Sequence, residues 1–175
     1  MRPPRPALSK SNLGEAARQI IAARMMLAGL SVFRPLSEDT AVDLLVLRPD
    51  GVALKCQCKI MYLARRDVHA MNLFTVRKWG PNAQAIKHRY GADEVDFFLG
   101  YVAETDAVFV FPFDVTRRFK TTLYAWILRQ PTNHNGTPPF DAAPFKNAFD
   151  LLSSPRPKLA YLAKDDILAS QYPPP

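Results

Sequence analysis

The chain has 175 residues, enough for one domain with its own core and no covalent staples. Apolar residues make up 48% and charged ones 22%, which excludes a disordered tail; no apolar run reaches the roughly 18–20 residues of a membrane span. A formal net charge of +7 favours polyanionic partners, because Lys and Arg that neutralise phosphates release counterions.

Residues 1–10 are Pro-rich and basic and form an irregular arm without the apolar stretch of a signal peptide. The expected setting is intracellular, cytoplasmic or nucleoid-associated, with no membrane partner and no secretion. Leu13, Ala16, Ile20, Ala23, Leu27 and Leu30 recur at three- and four-residue steps, predicting one apolar helix face. Asn12 with Glu15 has capping-box spacing, and Gly29 sits where that helix stops.

Strands are predicted over 31–36, 41–47 and 52–63, the last two divided by the turn Pro49-Asp50-Gly51. Further strands are expected over 73–79, 95–102 and 107–112, the last two joined by Glu104-Thr105-Asp106. Residues 69–92 are mixed in pattern and assign no helix. After Asp114 periodicity fades: 132–139 reads as a loop and 142–152 as a short helix. The economical organisation is the arm 1–10, a core 11–114 and an extension 115–175 packed on the same domain.

Hairpin register decides which residues meet. The three-residue turn sets Asp43 opposite Gln57, whereas a two-residue turn would set it opposite Cys58 and exchange the faces. In the first register Val42, Leu44, Val46, Leu54, Cys56, Cys58 and Ile60 share an apolar face. Asp43, Lys55, Gln57 and Lys59 share the other, away from the turn. Cys56 and Cys58, two apart on one strand, suit buried thiols and neither a disulfide nor a zinc site.

A carboxylate, an amide oxygen and an ammonium facing one another suit phosphodiester cleavage. A hard divalent cation such as Mg²⁺, with Mn²⁺ as substitute, takes oxygen ligands and completes its shell with water and phosphate. An ordinary cross-strand ion pair between Asp43 and Lys59 is the competing explanation. Beyond the hairpin, basic and aromatic residues interleave as a candidate nucleic-acid track: Arg65 and Arg66, Arg77-Lys78-Trp79, Lys87-His88-Arg89-Tyr90, and Arg117-Arg118-Phe119-Lys120. His69, His88 and His134 show no nucleophile–base spacing and read as surface or polar-contact residues.

Over residues 11–60 the chain resembles the PD-(D/E)XK nuclease superfamily. The residues that carry the resemblance are Glu15 on the first helix, Asp43 in Ala41-Val42-Asp43-Leu44, and Gln57-Cys58-Lys59 in the next strand. Gln57 stands where the commoner pattern has a carboxylate; this Q-x-K layout is most similar to the intron-encoded homing endonucleases and Holliday-junction-resolvase-like members. The segments 95–99 and 108–112 resemble the strand pair that follows the core there. The resemblance implies an α/β restriction-endonuclease-like fold, a mixed β-sheet flanked by helices. It also implies Mg²⁺-dependent hydrolysis of DNA, ahead of RNA, by Glu15, Asp43, Gln57 and Lys59, with Asp43, Gln57 and Glu15 as metal ligands. Cutting both strands of a duplex calls for a dimer or higher symmetric assembly. The alternative is a non-catalytic nucleic-acid-binding or assembly module on the same fold.

Overall fold

The computed structural model describes residues 9–36, 40–65, 67–77, 86–127 and 140–154. Residues 1–8 of the expected arm, the loop at 132–139, Arg66, Lys78, Trp79 and His134 lie outside them, as does the chain end from 155, while Ser9 and Lys10 of the arm open the first helix instead.

Helix α1 (Lys10–Leu27) begins at Ser9, whose side chain accepts the Asn12 N–H at 3.1 Å. Ser9 is therefore the cap, three residues before the predicted box, and Glu15 is free of capping duty. The helix ends as expected. Gly29 has φ +84, and the N–H groups of Gly29 and Leu30 reach back to the carbonyls of Met26 and Met25, a Schellman arrangement.

The buried stripe of α1 differs from the predicted one. Ala17, Ile21 and Met25, at four-residue steps, are buried, while Leu27 is 89% exposed and Leu13 lies at the surface. The segment carries apolar residues on two adjacent stripes, so periodicity alone admits both. Tertiary partners select between them, since this rotation carries Arg18 to Asp43 and Arg24 to Asp106.

The main sheet holds five strands: β1 (Ser31–Phe33), β2 (Leu44–Leu47), β3 (Ala53–Ile60), β8 (Phe97–Val102) and β9 (Ala107–Pro112), in that spatial order. Only the β3–β8 pairing is parallel, which makes the sheet mixed. Leu44 pairs with Cys56 and Val46 with Leu54, the register set by the three-residue turn. Gly51 supplies the left-handed conformation there (φ +85), and Arg48 N–H bonds Val52 O at 2.9 Å across it. Leu44, Val46 and Cys56 are buried beneath α1 with Leu99, while β8 and β9 are buried almost throughout.

The segment without a predicted helix is built of strands. The run predicted over 52–63 divides at Met61, and β4 (Tyr62–Arg65) continues into β5 (Val68–Asn72). A separate two-stranded ribbon joins β6 (Phe74–Arg77) to β7 (Ile86–Arg89). Beyond Asp114 the described residues also hold more regular elements than the sequence pattern suggests. After the short α2 (Phe113–Thr116), β10 (Thr122–Trp126) pairs with β5, and β11 (Phe140–Asp141) runs parallel to β10. The predicted helix at 142–152 is instead a 3₁₀ turn (Ala143–Phe145) and α3 (Asp150–Ser153), separated at Asn147, whose φ is +51.

His69 is buried, not at the surface: it is 4% exposed in β5, and among the described residues neither ring nitrogen is hydrogen-bonded, its polar neighbour being a Glu104 carboxylate oxygen 3.9 Å from Nε2. His88 does make a polar contact, its Nε2 lying 2.9 Å from a Glu94 carboxylate oxygen.

Candidate active site

Regular pairing of β2 stops at Leu44, and Asp43 turns its side chain to the neighbouring strand. Its Oδ2 accepts the Cys58 N–H at 2.8 Å and a bond from Gln57 Nε2, while its own N–H bonds Cys56 O. A carboxylate thus replaces the missing strand partner and is fixed by the backbone it caps. Gln57 is buried; its amide nitrogen is committed to Asp43 and to Cys58 O, which leaves the amide oxygen as the donor for a cation.

Lys59, two residues on, points to the same side. Its Nζ donates to Phe74 O at 3.3 Å and lies 3.0 Å from the Tyr90 hydroxyl, 4.8 Å from the centre of that ring. The ribbon β6–β7 and the residue that follows it therefore hold the ammonium. Lys55, expected in the same group, departs from it: its ammonium donates to Asp93 O and its N–H to Asp96.

Glu15 reaches the site through an arginine. Arg18 Nη1 lies 3.0 Å from Glu15 Oε2 and Nη2 lies 3.1 Å from Asp43 Oδ1. Arg34 holds Glu15 from the other side, at 2.8 and 2.9 Å. The site thus has two members that the sequence reading does not place there, Arg18 and Tyr90. Tyr90 stood in a basic-aromatic run that suggested nucleic-acid contact, but it is buried against Lys59 and Phe98. Nothing in the pattern joins Arg18 to a carboxylate 25 positions away; only the rotation of α1 does so.

Burial pushes the Asp43 carboxyl above its ordinary range, against the pull of Arg18, the Cys58 N–H, Lys59 and Gln57. Burial likewise holds Lys59 below the usual lysine range, with Asp43 opposing. Glu15 is lowered, first by its bond from Gln19 and then by Arg34. Both thiols are raised by burial, Cys56 further by Asp96 and Cys58 further by Asp43, so they are inert apolar neighbours of the site.

The oxygens that could hold a divalent cation are those of Asp43 and the Gln57 amide, with the Glu15 carboxylate on the far side of the Arg18 guanidinium; all are hard donors of the kind that Mg²⁺ or Mn²⁺ takes. Among the described residues no three acidic, His or Cys side chains converge as a closed metal cage.

Of the candidate nucleic-acid residues, Lys87 lies on the ribbon, its Nζ 5.0 Å from the centre of the Phe74 ring. Arg89 points elsewhere, donating to the carbonyls of Arg117 (2.6 Å) and Phe119 (3.0 Å). Arg65, Arg117, Arg118 and Lys120 are exposed, with Arg117 Nη1 3.5 Å from Asp114. Arg77 ends β6.

A family model described as PD-(D/E)XK endonuclease matches residues 8–142. Among curated protein sequences none matches significantly. Among solved structures, the bacterial homing endonuclease I-Ssp6803I superposes with a TM-score of 0.67 at 20% identity, covering 83% of this chain and 93% of that one. At that identity the likeness establishes a shared restriction-endonuclease-like fold.

Proposed function

The chain belongs to the PD-(D/E)XK endonuclease family, and from that premise we propose that it is a metal-dependent endonuclease that hydrolyses DNA phosphodiester bonds. The observation that carries the reading is the register of one hairpin, which gathers Asp43, Gln57 and Lys59 at the end of β2 and β3 in a chain of nuclease ancestry.

Asp43 and the Gln57 amide oxygen would hold a divalent cation, with Glu15 assisting. Such a cation supplies Lewis-acid stabilisation of charge on the phosphoryl oxygens and a bound water of lowered pKa. Lys59 brings a positive charge, pre-positioned by Tyr90 and Phe74 O, to the pentacovalent transition state as water attacks phosphorus and the leaving oxygen departs. Because burial lowers its pKa, Lys59 also exchanges a proton with a neighbouring water more readily than a surface lysine.

The ribbon supports DNA as the polymer. It starts against Lys59 and bears Lys87, and a two-stranded ribbon is of a size that the B-DNA major groove admits, whereas the deep, narrow groove of A-form RNA does not. Cleavage of labelled duplex DNA across a Mg²⁺ titration tests the proposal.

A further inference from the structure

Arg18 holds the atom of Asp43 that a metal ion would need. The two carboxylate oxygens of Asp43 have separate employments: Oδ2 is taken by the Cys58 N–H and the Gln57 amide, and Oδ1 by Arg18 Nη2 at 3.1 Å. The other arm of the same guanidinium lies 3.0 Å from Glu15. One organic cation therefore bridges both carboxylates to which the proposed function gives a metal. Its grip is a two-point one, since the buried Nε has no hydrogen-bond partner among the described residues.

We propose that Arg18 is a displaceable counter-ion of the metal site: divalent cation and guanidinium compete for Asp43 Oδ1, and metal entry is coupled to release of Arg18. The inference rests on the reading of Asp43 as a metal ligand. Arg18 is here a positioning residue that keeps the carboxylates apart from one another's charge and sets metal affinity low. Its stem sits on α1 one turn beyond Glu15, so the release is a side-chain movement and leaves the helix and hairpin in place.

The test is Mn²⁺ binding to the full chain without DNA, measured by calorimetry for wild type, Arg18→Ala, Arg18→Met and Asp43→Asn. Met keeps an unbranched apolar stem in place of the charged side chain should Ala disturb the fold. Removing a competing, partly buried ion pair should tighten Mn²⁺ binding about tenfold in both Arg18 variants, while Asp43→Asn loses it. Unchanged or weaker binding by both Arg18 variants, with Asp43→Asn still losing it, would overturn the role of Arg18 and leave the metal site standing. Binding that is indifferent to Asp43, or no binding by any of the four proteins, would overturn both.

Discussion

Lys59 Nζ sits 3.0 Å from the Tyr90 hydroxyl and 4.8 Å from the centre of the same ring, so one buried side chain fixes the ammonium in two ways. Tyr90→Phe keeps the ring and removes the hydroxyl. The kcat should fall about tenfold with KM for DNA nearly unchanged, because the lost contact orients a catalytic group and binds no substrate. Steady-state cleavage of a labelled duplex measures both. Unaltered kcat would reduce Tyr90 to a packing residue.

Gln57→Glu sets a second carboxylate against Asp43 and deletes the amide donor that now bonds it. Without divalent ions that variant should melt lower than wild type, since like charges at a buried position repel. Mg²⁺ should then raise its Tm by more than it raises wild type's, by several °C at saturating ion. Equal shifts, followed by differential scanning calorimetry, would place Gln57 outside the metal's reach.

His69 is held below the ordinary histidine range by burial, with Glu104 pulling the other way. The neutral ring is then the native form. Its contribution to stability is complete above the unfolded-state pKa of about 6.5 and is lost as pH falls through the lower folded value. Urea midpoints of wild type should therefore drop from about pH 7 to about pH 5 more steeply than those of His69→Leu. Parallel curves would show that the ring protonates in the fold without cost.

Lys87 and Arg89 lie two apart in sequence yet should behave differently. Lys87→Ala should reduce the salt dependence of DNA binding by about one phosphate's worth, roughly 0.9 in the log–log slope, without lowering stability. Arg89 donates to two backbone carbonyls, so Arg89→Ala should instead lower the melting temperature. Filter binding across a salt series, beside thermal melts, separates the two; a slope change for Arg89 with no loss of stability would contradict this division.

Much of this is legible in the sequence, and the reason is the period of two in β-strands. Pro49-Asp50-Gly51 fixed the register, and from it came the buried Cys56 side and the pairing of Asp43 with Gln57. The strand β10 was missed because Thr122–Trp126 is short and its pairing partner, β5, lies 50 residues earlier. Rotation of α1 was missed because its residues offer two apolar stripes, and Arg18 was lost with it. A contact between a helix and a strand end has no local signal; neither has the descent of Tyr90 from a basic run into the core.

On the proposed function the hairpin end formed by Asp43, Gln57 and Lys59 is the hydrolytic centre. The decisive measurement is single-turnover cleavage of end-labelled duplex DNA over a Mg²⁺ titration, for wild type, Asp43→Asn and Lys59→Ala. Wild type should show Mg²⁺-dependent cleavage and both variants losses of about a hundredfold or more, each still folded by circular dichroism. Wild-type cleavage retained by both variants would contradict the assignment of the centre; no Mg²⁺-dependent cleavage by wild type on any nucleic acid would contradict the activity itself.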